Sequence, residues 1–208
     1  MASVLARSKL ARAARTLNEA AGLPPPALPS LIFMTEEARV PDPVAAAAAL
    51  PKGTAIILRH RDEKRREALA RALAPLASRR GLVLLIAGDP GLATRVGAGG
   101  VHFPEARIAE ASHWRVLRPH WLITAAAHSE RALLEAARAG VDAALLAPVF
   151  PTRSHPGGAA IGPLRLRSIA ARARLPLYAL GGIGAENISR LAGAKLAGIA
   201  AIEALRAG

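Results

Sequence analysis

From Leu31 onward, short apolar, strand-like runs alternate with stretches that repeat apolar residues at helical spacing. The runs are LIFMT (31–35), AIILRH (55–60), LVLLIAG (82–88), GVHF (100–103), WLITAAA (121–127), AALLAPVF (143–150), PLYALGG (176–182) and AGIAAI (197–202). Each is four to eight residues and bounded by turn residues, the pattern of a strand covered on both faces, as in a parallel sheet. Between them lie ordinary helix signals. Leu69, Leu73 and Leu76 recur at helical spacing, Ser129 stands at an N-cap before ERALLEAARA, and Gly140 stands at its end. Strands alternating with helices require parallel pairing through right-handed crossovers. Eight such units predict an α/β fold, a single (β/α)8 TIM barrel with an extra N-terminal helix. An open flavodoxin-like sheet is the alternative if the short fourth unit is overcounted.

Ahead of the barrel, residues 1–28 begin as a basic amphipathic helix and end in a proline cluster. They are expected to form a surface helix and lead-in to a barrel domain at 29–208. A secretory h-region and its cleavage site are absent, so a cytoplasmic location is the default. The 208 residues suffice for one sizeable core near the lower limit for this barrel. No apolar stretch reaches the roughly 18 residues a membrane span needs, so no membrane partner is expected. With no cysteine, thiolate catalysis, disulfides and Cys metal sites are excluded.

The net charge of +13 raises the question of a nucleic-acid partner. Aromatics are only 3% of the chain, leaving little to stack on bases, and no nucleic-acid motif is present, so none is expected. Much of the charge is assigned to the outer faces of helices, as at Lys64, Arg65, Arg66, Arg71, Arg79 and Arg80. The Ala-rich apolar helices are compatible with a homodimer, though no interface is legible.

In a TIM barrel the chemistry sits where the strands end. Four of the six histidines fall at or past predicted strand ends, His60, His102, His128 and His155, together with Glu36, Arg59, Arg61, Asp89, Glu105, Thr152 and Arg153. The stretch Asp142 to Gly162 concentrates this signal: a buried run closed by Pro151, then Thr152, Arg153, Ser154 and His155, then Pro156, Gly157 and Gly158. Such a loop offers backbone amides to an anion, with Arg and His for charge and proton transfer. After the seventh strand, Gly181 and Gly182 stand where these barrels commonly bind phosphate on backbone amides and a helix N-terminus. A small phosphorylated ligand follows from that placement.

GVHFPE, then HSERALLEA, APVFPTRSH, LYALGGIGAENI and AGIAAIEAL, in this order over about residues 28–205, resemble the thiamin phosphate synthase and TenI family. The resemblance implies condensation of an aminopyrimidine methyl pyrophosphate with a thiazole phosphate, using magnesium. It assigns catalytic roles to His155, Arg59 and His128, and binding of phosphorylated substrate to Arg61, Thr152, Arg153, Ser154 and the Gly181, Gly182 and Ile183 amides. Departures accompany it. Family Gln-Leu-Arg-x-Lys reads Ile57, Leu58, Arg59, His60, Arg61, and His155 replaces a lysine. The Asn-Asp pair of the magnesium site aligns with Ala87 and Gly88, leaving Asp89 one position late, and a further family Asp falls on Arg107. Asp89 and Glu105 are the remaining candidate magnesium ligands after a loop shift, with Arg107 as an alternative counter-charge for pyrophosphate. A family Ser reads Ala126, another reads Glu203, and the tautomerase His of TenI relatives falls on Pro148. Alternatives are a TenI-like protein acting on a thiazole or other small phosphorylated compound, with His102, His128 or His155 as acid or base, and a catalytically silent barrel that binds a metabolite or partner.

Overall fold

A computed structural model describes residues 4–23, 28–152 and 159–205. Eight parallel strands close into a barrel in sequence order: β1 (Leu31–Met34), β2 (Ala55–Leu58), β3 (Val83–Ala87), β4 (Gly100–Phe103), β5 (Leu122–Ala127), β6 (Ala143–Leu146), β7 (Leu177–Leu180) and β8 (Gly198–Ala201). The closing pair is β1 with β8, in register Ile32 to Ala200. Eight strands are therefore formed where eight runs were expected, and the open sheet is excluded.

Alternate residues of each strand face opposite sides, which divides the core in two. Ile32, Met34, Ile57, Leu85, Leu145, Tyr178 and Ala200 fill the barrel, while Phe33, Ile56, Ile86, Phe103 and Ala179 pack outward under the helices. Tyr178 is fully buried, and its hydroxyl donates to the Pro29 carbonyl at 2.6 Å, satisfying the one polar atom it brings inside. Burial pushes its pKa up.

The helices are α1 (Val4–Ala21), α2 (Pro43–Ala48), α3 (Glu63–Arg80), α4 (Pro90–Arg95), α5 (Glu110–Leu117), α6 (Glu130–Arg138) and α7 (Pro163–Arg172). Their starts follow the capping signals. Asp42 and Asp89 each precede a proline at the first helical position and accept from backbone amides inside the first turn; Asp62 and Ser129 do the same for α3 and α6. Short 3-10 helices follow β4 (Glu105–Arg107), β7 (Ile188–Leu191) and β8 (Glu203–Leu205). α1 buries Leu10, Ala11, Ala14 and Leu17 in the same outer core as the other helices and packs against β8 and β1. Its Asn18 donates to the Ala197 carbonyl at 2.6 Å.

Several strands end earlier than the apolar runs suggest. Thr35 leaves β1 and instead brackets Arg59, accepting from its amide at 2.9 Å and donating to its carbonyl at 3.2 Å, so Arg59 and His60 belong to a loop. β6 stops at Leu146 because Pro148 has no N–H for the ladder, although Val149 and Phe150 still donate to Leu180 and Gly181. None of the helices among the described residues is long and apolar enough to cross a membrane.

Candidate active site at the barrel mouth

A cleft of about 1150 Å³ opens at the C-terminal ends of the strands. Its floor is the top layer of the barrel interior, with Met34, Ala87, His102, Ala126, Leu145, Leu180 and Ala200. The walls come from the loops after all eight strands, with Gly88 following β3 and His128 following β5.

The wall after β1 and β2 is cationic. Arg39, Arg59, His60 and Arg61 all line the cleft. Arg39 pairs with Glu36 at 3.0 Å. Arg59 is held at both backbone ends by Thr35, and Glu37 accepts from the Arg61 amide and lies 3.2 Å from His60 Nδ1. These contacts fix the loop backbone. The exposed Arg59 and Arg61 guanidiniums form no ion pair among the described residues, which leaves their donors for an anion.

The facing wall is built from backbone. Gly181 and Gly182 have φ of +97° and +64°. A Cβ on Gly182 would stand 2.4 Å from the Pro151 carbonyl oxygen, so this turn needs glycine both for its conformation and for its close approach to the β6 loop. Asn187 pins the turn, donating to the Gly182 carbonyl at 2.7 Å and accepting from the Gly184 amide at 3.0 Å. The Gly182 and Ile183 amides have no partner among the described residues. Oriented amides of this kind make an anion cradle. Half-buried Glu203, after β8, also borders the cleft.

Two histidines occupy different environments. His102 is on β4, inside the barrel, with Nδ1 3.0 Å from the Thr124 hydroxyl. Burial, and then the Arg59 charge, lower its pKa to about 4, so the ring is neutral at pH 7. His128 is at the mouth, where Nδ1 donates to the Ala147 carbonyl at 3.0 Å. Because a carbonyl only accepts, that bond assigns a proton to Nδ1. Thr152 lines the cleft as well. Arg153, Ser154 and His155 lie outside the described residues.

The donor set at the β3 and β4 mouths does not fit a magnesium ion. Asp89 spends Oδ1 on the Leu92 amide at 2.8 Å, as the α4 cap, and Oδ2 on Arg66 at 3.1 Å. Glu105 accepts from the His128 amide at 2.6 Å. Arg107 donates from Nη1 to the Gly88 carbonyl at 2.7 Å and grips Glu110 through its other nitrogens, a contact that holds Glu110 below the usual carboxylate range. Among the described residues no cluster of three or more His, Cys, Asp or Glu side chains could hold a metal. Magnesium wants several oxygen ligands in a near-octahedral arrangement, and two guanidiniums flank the place instead.

Arg66 corrects the sequence expectation of a solvated helix face, because its side chain is only 15% exposed and turns to the mouth. Glu37, Arg39 and Thr35 were also missed, although their position just past β1, on the same rim as Glu36, was the available signal. Asp89 carried a signal too: an aspartate directly before proline reads as a helix cap.

A family model described as thiamine monophosphate synthase matches residues 31–205. The thiamine-phosphate synthase of Chlorobium luteolum is 33% identical over 183 residues, 86% of this chain and 86% of that protein. The thiamine-phosphate synthase of Thioalkalivibrio sulfidiphilus is 36% identical over 149 residues, 69% of this chain and 70% of its own. Among solved structures, a thiamine phosphate pyrophosphorylase from Pyrococcus furiosus superposes with a TM-score of 0.67 at 23% identity, covering 83% of this chain and 84% of that one, which bears on the fold.

Proposed function

The chain belongs to the thiamine monophosphate synthase family, and from that premise we propose that it joins an aminopyrimidine methyl pyrophosphate to a thiazole phosphate, releasing pyrophosphate. The observation that carries this reading is the pairing of two anion sites across one cleft. Guanidiniums of Arg59 and Arg61, without ion pairs among the described residues, line the same cleft as the amides of Gly182 and Ile183, above a mostly apolar barrel floor that includes His102.

The chemistry needs little from the protein beyond that arrangement. The methylene C–O bond of the pyrimidine breaks with its electron pair leaving on pyrophosphate. The thiazole nitrogen then donates its lone pair to the exocyclic carbon, closing the new C–N bond. Arg59 and Arg61 stabilise the charge that grows on the leaving oxygens. The glycine turn holds the thiazole phosphate and so aims the nitrogen at the carbon, converting a two-substrate encounter into a positioned one. His102, neutral and buried beneath the site, offers a hydrogen-bonding edge without a positive charge beside a developing carbocation. Thr152, with Arg153, Ser154 and His155 from the same loop, belongs to the pyrophosphate side by the family resemblance. His128, at the mouth, is assigned proton exchange with the departing group by the family resemblance.

A second reading, a TenI-like protein that holds a thiazole phosphate without joining it to a second substrate, is favoured by one observation: the carboxylates expected to bind magnesium are engaged elsewhere. An assay of pyrophosphate release with both substrates separates the two. Release that depends on both substrates and falls in Arg59→Ala supports the synthase. No release at high enzyme concentration, with or without magnesium, removes it in favour of the TenI-like reading.

A further inference from the structure

Arg66 lies in the first turn of α3, below the loop that carries Arg59 and Arg61. Its Nη1 donates to the His60 carbonyl at 3.1 Å and its Nη2 to Asp89 Oδ2 at 3.1 Å. The solvent-exposed Glu63 is farther, at 3.8 Å. Nε is buried with no hydrogen-bond partner. One guanidinium thus bridges the β2 and β3 loops at the mouth. Stability alone gives a poor reason for it, since an ion pair drawn partly out of water gains little over a well-packed apolar substitute and the unsatisfied, buried Nε adds cost. What the cation does here is specific. It neutralises the only acid at the end of β3, and it holds the carbonyl situated between the two anion-binding arginines. Arg107 takes the adjacent Gly88 carbonyl, so two neighbouring oxygens at the end of β3, Gly88 O and Asp89 Oδ2, are both bound to guanidiniums.

We propose that Arg66 is a built-in cation standing in for a divalent metal, fixing the β2 loop to Asp89 so that Arg59 and Arg61 bind a diphosphate group without magnesium. The proposal rests on the reading of the cleft as a synthase site, and it makes Arg66 a positioning residue.

The test is calorimetric titration of the full chain with inorganic pyrophosphate, in EDTA and in magnesium, alongside titration with magnesium alone. Wild type binds pyrophosphate in EDTA, and magnesium alone gives no binding. Arg59→Ala and Arg61→Ala each weaken pyrophosphate binding about tenfold or more, as expected for loss of a charge-assisted contact. Arg66→Gln weakens binding in EDTA by a similar factor and regains part of it in magnesium, because Asp89 is released to meet the ion. A residue that only supported the fold would give no such recovery. Arg66→Lys keeps the charge but reaches one acceptor, and it falls between wild type and Arg66→Gln. Binding of pyrophosphate by wild type only when magnesium is present overturns the proposal, as does unchanged affinity in either Arg66 variant. If Arg66→Gln fails to fold by thermal melt, the wild-type arms and Arg66→Lys decide. Condensation seen only with magnesium leaves the synthase reading standing and removes this proposal. Pyrophosphate binding in EDTA without condensation under any condition does the reverse.

Discussion

His102 and Thr124 are a buried polar pair inside the barrel, and their energetics are readable in acid. The His102 pKa falls from 6.5 to about 4 on folding. Between those values the unfolded chain binds a proton that the folded chain refuses, so stability is retained above about pH 6.5 and declines as pH drops toward 4. The loss amounts to at most about 3 kcal/mol for a shift of this size. Urea denaturation at neutral pH and at the acid end of that window measures it, and in His102→Gln the slope attributable to this group disappears. If wild type and variant lose stability in parallel, burial of a neutral imidazole is not the cause. Gly182 makes a second residue-scale prediction. Alanine there meets a carbonyl oxygen at 2.4 Å in a left-handed backbone. Gly182→Ala is expected to cost about 2 kcal/mol and to abolish saturable thiazole phosphate binding, read by thermal shift with and without the ligand. At this scale the sequence pointed to strand ends, and Arg59, Arg61, His128, Gly181 and Gly182 do line the cleft, whereas His102 lies inside the barrel on β4 and His155 lies outside the described residues. It could not say that Asp89 and Arg66 satisfy each other, because they are 23 positions apart and meet only when β2 and β3 pair.

Elements were legible to the extent that each carries its own signal. The apolar runs marked eight strands because a parallel strand is dry on both faces, and the caps at Asp62, Asp89 and Ser129 stand before their helices as short-range chemistry demands. Strand ends were harder. Whether Arg59 continues β2 depends on Thr35, a residue just past the end of β1, taking both its backbone groups. α1 is the element whose role the sequence understated, since a basic amphipathic helix reads as a surface appendage until its apolar stripe is seen against β8 and β1. Leu10 is completely buried there. Leu10→Ala is therefore expected to destabilise the whole barrel by about 2–5 kcal/mol, in one cooperative urea transition. A loss below about 0.5 kcal/mol, the range of a surface substitution, would mean that α1 contributes no packing.

At the scale of the whole molecule, the charge of +13 acts on encounter more than on fold. Arg71, Arg131 and Arg172 pair with glutamates on exposed helix faces, contacts worth little each, whereas Arg39, Arg59 and Arg61 converge on one cleft. An anionic substrate is drawn to that mouth through a screened field. Raising ionic strength from about 0.05 to about 0.5 M shortens the Debye length severalfold, and the KM of the pyrophosphate substrate is expected to rise several-fold while kcat changes little. A KM indifferent to salt would remove long-range attraction from the account.

Periodicity, turn chemistry and composition are properties of the chain itself, and from them alone followed the eight alternating units, the helix start at Ser129, the exclusion of thiol chemistry and the expectation of polar residues at the strand ends. The motifs in their order also led to the family. Closure of β1 on β8, the neutral state of His102, the occupation of Asp89 by Arg66 and of Gly88 by Arg107 depended on distances between residues far apart in sequence. Charge and hydrogen bonding act through space, so only the folded barrel could decide that Asp89 and Glu105 were already engaged and that, among the described residues, the Arg59 and Arg61 guanidiniums had no carboxylate partner.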